Sequence, residues 1–179
     1  MEQDETALLR ECKAGNAEAF AEIMRRSKAR VYRFLYGVML NEASAEDLTQ
    51  ETFVRFWRSL ASFDLSLPLY PWLRRIGFNL ALNEMKRKKE KGLTEAVAES
   101  LGEERAPERP LMDDELRAKI RAAVESLDAD KRAVVTMRLM ENMSYAEIAR
   151  ELECSIGTVM SRLFRARAAL KEKLGSVAV

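Results

Sequence analysis

Apolar residues recur along this chain with helical rather than alternating spacing. Between Ala17 and Leu40, Phe20, Ile23, Met24, Val31, Phe34, Leu35 and Val38 return at helical intervals, with Arg25, Arg26, Lys28, Arg30 and Arg33 filling the other positions. That pattern predicts one long helix with a buried stripe. Before it, residues 4–14 predict a short helix closed by Gly15, a residue suited to the left-handed cap position, and Asn16 is placed to cap the long one. Ser44 with Asp47 three positions on resembles a further capped start, so a helix is expected from Ala45 to about Ala61 with Leu48, Thr52, Phe53, Phe56 and Leu60 on its inner side. Ser62 to Pro71 carries two prolines expected to break that helix. Trp72 to Lys89 predicts the next one, with Leu73, Ile76, Gly77 and Leu80 turned inward.

The pattern lapses over residues 92–111, where two Gly, two Pro and an acidic excess predict a linker. Fully extended, about twenty residues span up to ~70 Å. Periodicity resumes in Met112–Ser126 and Asp128–Glu141, with Leu116, Ile120, Val124 and Leu127, then Val134, Val135, Met137, Leu139 and Met140, expected in a core. Asn142 suits the left-handed position that ends the second of these helices. Ser144 and Glu147 form a capping box ahead of the stripe Tyr145, Ile148, Ala149 and Leu152. Ser155 caps a last helix on which Ile156, Val159, Met160, Leu163, Leu170 and Leu174 share one side. The fold class is therefore all-α, in two small helical domains: residues 1–91, then the linker 92–111, then a four-helix domain over 112–179.

Composition narrows the chemistry. With 47% hydrophobic and 33% charged residues the chain is globular and helix-rich. No stretch of about 18 apolar residues is present and MEQDETALL is acidic, so neither a membrane span nor a signal peptide is expected, which points to a cytoplasmic protein. The chain has no histidine, and Cys12 and Cys154 lack metal-ligand spacing. An enzyme, a bound metal or a cofactor is therefore not expected. The net charge of +1 conceals segregation: residues 85–91 carry +4, and residues 92–115 carry −6 from eight acids and two arginines.

Three faces are left over once the inner stripes are assigned. Opposite the apolar side of the last helix stand Thr158, Ser161, Arg162 and Arg165, which with Ser155 suit a helix lying in the major groove as the second member of a helix-turn-helix. An ordinary amphipathic pair with arginines in solvent is the competing reading. On the helix after Ser44, Asp47, Gln50, Glu51, Val54 and Arg58 share the outer side. A Val among acids and amides is not needed for folding, so this is a candidate protein-docking surface, against a solvated face. The third combines Phe63, Leu65, Leu67 and Tyr70 on the loop with Arg75, Asn79, Asn83 and Lys86 along the next helix. Cations beside rings and apolar groups suit single-stranded nucleic acid. The rival, lysines complementing a helix C-terminus, explains the cations but not the loop.

EDLTQETFVRFWRSL (46–60), WLRRIGFNLALNEMKRKK (72–89) and SYAEIARELECSIGTVMSRLFRAR (144–167), in that order and split by an acidic linker, resemble the extracytoplasmic-function (ECF) sigma factors of bacterial RNA polymerase. The resemblance covers nearly the whole chain. It implies promoter-directed initiation without chemistry of its own, with core RNA polymerase and promoter DNA as partners and an anti-sigma protein as regulator. Asp47, Gln50, Glu51 and Val54 then resemble the polymerase-docking surface. Phe63, Tyr70, Arg75, Asn79, Asn83 and Lys86 resemble the part that melts and captures the single-stranded -10 element. Ser155, Thr158, Ser161, Arg162 and Arg165 resemble the reader of the duplex -35 element. Glu153 stands where the family usually has Gly, and Met160 where a basic residue is frequent. The alternative function is a stand-alone helix-turn-helix regulator that binds duplex DNA without polymerase.

Overall fold

In a computed structural model, which describes residues 2–90 and 114–175, every regular element is helical. Among the described residues the order is α1 (Glu2–Lys13), α2 (Ala17–Met39), α3 (Glu42–Ser59), a 3-10 turn (Leu60–Ser62), α4 (Leu69–Glu90), α5 (Asp114–Glu125), α6 (Ala129–Leu139), α7 (Tyr145–Glu151) and α8 (Ile156–Leu174). The chain divides into two compact units, Met1–Ala81 and Leu82–Val179. The expected linker, 92–111, lies outside the described residues.

The first unit is built around α2. Gly15 takes φ +89 after α1, and the Asn16 side chain accepts from the amides of Glu18 and Ala19, so the chain turns and restarts within a few residues. The expected stripe is inside: Ile23, Val31, Phe34, Leu35 and Val38 are buried. An aromatic train crosses the unit. Phe20 stacks on Phe56 at 6.3 Å, Phe56 meets Phe63 edge-on at 5.9 Å, and Phe63 meets Trp72 at 5.5 Å. Each such pair contributes about 0.5–1.5 kcal/mol beyond its buried area. Gly77 lets α4 close on this core: a Cβ there would lie 3.1 Å from Thr52 Oγ1 and 3.3 Å from Leu35.

Two expectations in this half are corrected. Asn41, not Ser44, caps α3: its side chain accepts from the Ser44 amide at 2.8 Å, and Ala45 donates to the Asn41 carbonyl. Ala45 is fully buried, so the helix must already be under way when it arrives. α3 ends at Ser59, ahead of the proline stretch as expected, but the next helix starts at Leu69 rather than Trp72, with Pro71 in its first turn, where a missing N–H leaves no bond unmade. The Leu69 amide at that start reaches the Glu5 carboxylate at 3.4 Å.

In the second unit α5, α6 and α7 pack on α8. Asp128 caps α6 through the Lys131 amide, and the Ser144–Glu147 box caps α7 in both directions. Buried Arg132 donates to the carbonyls of Glu125 at 2.7 Å and Leu127 at 3.0 Å, satisfying carbonyls at the end of α5. Leu127, Val134, Val135, Met137, Ile148, Val159 and Leu163 form the core. Leu116, Ile120 and Val124 are only half-buried. Leu139 and Met140, expected inside, are 73% and 54% exposed, because α6 ends just there and no other helix among the described residues covers its last turn. Ile156 and Met160 are likewise exposed. The buried residues of α8 are Val159, Leu163 and Ala166, a stripe narrower than the sequence suggests.

Asn142 adopts φ 51 as expected, and Glu153 φ 49. A left-handed side chain costs about 1–2 kcal/mol, of which a glycine's extra unfolded-state entropy returns about 0.5–1. Glu153→Gly is therefore predicted to stabilise the second unit by about 0.5–1 kcal/mol. Native-state hydrogen exchange of the α7 and α8 amides measures it, and unchanged protection would show that the turn carries no strain.

Candidate nucleic-acid and protein interfaces

The outer face of α8 is set by its cap. Ser155 Oγ accepts from the Thr158 amide at 3.0 Å and pairs with Thr158 Oγ1 at 2.9 Å, and Ser161 Oγ donates to the Thr158 carbonyl at 3.2 Å. The three hydroxyls first serve the helix. Arg162 is not displayed as expected: its guanidinium is drawn back to Asp130 at the start of α6, 2.8 Å away. Beside that pair, burial alone would raise the Asp128 carboxyl, but hydrogen bonds from Lys131 and the charges of Lys131 and Arg162 outweigh it and hold it below its usual range. Arg165 is exposed and has no hydrogen bond or ion pair among the described residues. Pattern reading missed Phe164, which is 75% exposed next to it; its signal was an aromatic residue off the buried stripe. Arg167 is exposed.

On α3 the outer residues fall together. Asp47 and Gln50 are exposed, Val54 is 43% exposed, and half-buried Glu51 pairs with Arg55 at 2.8 Å. Trp57 belongs to both sides: its ring meets Phe20 edge-on at 4.7 Å and remains 41% exposed beside Val54. The face is an apolar pair edged by acids and an amide.

The loop after α3 needs the largest correction. Phe63 is not displayed; it is 1% exposed and locked between Phe56 and Trp72, so an unstacked base cannot reach its ring without opening the core. Tyr70 is half-buried, with the Arg30 guanidinium 3.6 Å above its ring centroid and Arg74 at 5.5 Å. One face of that ring is already covered. Leu69 is buried as well, whereas Leu67 is 48% exposed. Asp64 ties the turn by accepting from the Ser66 amide at 2.9 Å and the Ser66 hydroxyl at 2.8 Å, which holds its carboxyl below its usual range. Beyond the loop, Arg75, Asn79, Asn83 and Lys86 are all exposed along one side of α4. The two amides have no hydrogen-bond partner among the described residues. The basic run is partly neutralised, since Arg87 and Lys88 pair with Glu84.

Two family descriptions match these parts separately: "Sigma-70 region 2" over residues 23–91 and "Sigma-70, region 4" over residues 117–170. The RNA polymerase sigma-H factor of Pseudomonas aeruginosa is 31% identical over an alignment covering 97% of this chain and 94% of that protein. The ECF sigma factor SigW of Bacillus subtilis is 30% identical over 93% and 94%. The chain belongs to the ECF sigma factors. Its fold is that of a solved sigma factor, RpoE of Bartonella quintana in complex with the anti-sigma factor NepR, with a TM-score of 0.70, 28% identity and coverage of 90% of this chain and 99% of that one. Within this sigma factor the α3 face and the α4 row lie in the region 2 match, and the α8 face lies in the region 4 match.

The Arg162–Asp130 pair is partly exposed, with an exposed Asp130 and a half-buried Arg162, so it contributes only about 0.2–1 kcal/mol. Arg165→Ala is accordingly predicted to weaken holoenzyme affinity for the upstream promoter duplex by about 1–3 kcal/mol, and Arg162→Ala by less than Arg165→Ala. Fluorescence anisotropy with labelled duplexes measures both, and the reverse ranking would make Arg162 the principal reading arginine.

Proposed function

We propose that this sigma factor seats on core RNA polymerase through the outer face of α3, reads a duplex -35 element with α8, and opens and holds the -10 element with its loop and the outer row of α4. The observation that carries the reading is the row Asn79 and Asn83: two exposed amides flanked by Arg75 and Lys86, next to a turn that presents Ser66 and Leu67. Amides hydrogen-bond base edges, cations track phosphates, and a small apolar contact receives an unstacked base. Phe63 and Tyr70 take no part in base contact here; they hold the loop and the head of α4 in place. Asp47, Gln50 and Glu51 with Val54 supply a rimmed apolar contact of the kind that docks on a protein.

In this reading residues 1–91 serve polymerase and the -10 element, the acidic stretch 92–111 joins the two parts, and residues 112–179 serve the -35 element. The chain does no chemistry of its own; capture of unstacked bases offsets strand opening, at a few kcal/mol per flipped base. Its place of action is the cytoplasm, where polymerase and promoter are; no helix among the described residues is long and apolar enough to cross a membrane. An anti-sigma protein is its regulator, a reading supported by the Bartonella complex. A stand-alone duplex-binding regulator would leave the α3 face and the amide row without a task.

Two outcomes are expected. Run-off transcription with core polymerase and this chain should give discrete start sites, and Gln50→Lys with Val54→Glu should abolish core pull-down while circular dichroism stays unchanged; retained pull-down would move docking off α3. Asn79→Ala should reduce open-complex formation about tenfold, the equivalent of about 1.4 kcal/mol for a lost amide contact, and leave closed-complex formation intact. Permanganate reactivity and gel shift separate the two steps, and equal loss in both would contradict the opening role.

A further inference from the structure

We infer that α8 reads thymine by its 5-methyl group, through the apolar strip Met160 and Phe164, in addition to the polar contacts made by Ser161 and Arg165. This rests on the assignment of α8 to the major groove. Met160 is 53% and Phe164 75% exposed, four positions apart on one flank of the helix. Neither packs into the stripe of Val159, Leu163 and Ala166, so nothing among the described residues gives a reason for a ring and a thioether in water. At about 100° per residue, Phe164 and Arg165 lie on either side of Ser161, on the side opposite the core.

The hydrogen-bonding capacity of this face is smaller than its composition suggests. Arg162 is drawn back to Asp130, and the Ser155 and Thr158 hydroxyls bond each other in the cap. What remains at the centre of the outer face is one guanidinium and one phenyl ring, beside the Ser161 hydroxyl, which donates its proton to the Thr158 carbonyl and keeps only its oxygen to accept. In the major groove a guanidinium forks onto guanine, and thymine alone among the four bases offers a methyl group, the natural partner of a ring edge. Arg165 and Phe164 are adjacent residues, so the preferred upstream element places a thymine, on either strand, within about one or two base pairs of the guanine that Arg165 contacts. Met160 extends the same apolar strip toward the N-terminal end of the helix.

The test uses holoenzyme and a promoter identified by run-off mapping, with each thymine of the upstream element replaced in turn by deoxyuracil. That change removes the methyl and leaves base pairing intact. At one or more positions the wild-type holoenzyme should bind about fourfold more weakly, the equivalent of one methyl group returned to water. Phe164→Ala should bind the thymine and uracil duplexes alike, Phe164→Leu should keep part of the preference, and Arg165→Ala should lose affinity for both while keeping their ratio. A wild-type holoenzyme that still discriminates the upstream element but ignores every uracil replacement would overturn the inference and leave the groove assignment standing. Loss of core-polymerase binding by Phe164→Ala, with thymine and uracil bound alike by the wild type, would assign the ring to a protein and overturn it too. A holoenzyme indifferent to the upstream sequence altogether would sink the groove assignment and this inference together.

Discussion

Side-chain caps decide where the helices of this sigma factor begin, and what each helix shows to its surroundings follows from that start. One residue of slippage turns a helix by about 100°, enough to carry a buried position to the surface. Asn16, Asn41, Asp128, Ser144 and Ser155 each accept an amide of the first turn that would otherwise be unmade. With Ser155 fixed, Val159, Leu163 and Ala166 meet the core, and Ser161, Phe164 and Arg165 face out. With Asn41 fixed, Ala45, Thr52, Phe53 and Phe56 are inside and Gln50 and Val54 are not. Each cap contributes on the order of 1 kcal/mol to stability, but its larger consequence is the phase of the face.

The loop between α3 and α4 is held differently, from beneath. Phe63 and Leu69 are driven into the core at its two ends, so the residues between them, Asp64 to Pro68, have nowhere to go but outward. The Asp64–Ser66 turn and the backbone bond from the Leu67 amide to the Asp64 carbonyl at 3.1 Å then fix the excursion. A turn fixed in this way has little entropy left to lose on meeting a ligand. Phe63, which sequence reasoning offered to a base, thus acts one level lower, as an anchor of the exposed turn above it.

Much of the fold was legible in the sequence because caps and periodicity are local: Gly15 with Asn16, the Ser144–Glu147 box, Ser155 and Asn142 all stand where their residue types place them. What was not legible depended on how much partner surface exists. Leu139, Met140, Ile156 and Met160 have the spacing of core residues, but among the described residues α5, α6 and α7 are only 12, 11 and 7 residues long and leave the end of α6 and one flank of α8 uncovered. Phe63 and Leu67 are both apolar loop residues, and only the neighbourhood of Phe56 and Trp72 separates the one that tucks in from the one that does not. The outer rows on α3 and α4 were readable, being what remains once a stripe is buried. The withdrawal of Arg162 was not, because Asp130 lies on another helix.

Charge explains why such a chain needs a larger partner. Thirty Lys and Arg stand against twenty-nine Asp and Glu. Several cations are also already engaged: Arg25 and Arg26 with Glu22, Arg55 with Glu51, Arg87 and Lys88 with Glu84, and Arg162 with Asp130. Attraction to duplex DNA grows with the number of phosphates neutralised. A chain whose net charge is only +1 and whose cations on α2, α3 and α4 are partly paired gains little of it overall, which suits a subunit carried to DNA by polymerase better than a regulator that must hold the duplex alone. Surface pairs of this kind contribute at most about 1 kcal/mol, so they are readily exchanged for phosphate once the protein is seated. The pairing therefore weakens indiscriminate binding more than it weakens binding in register.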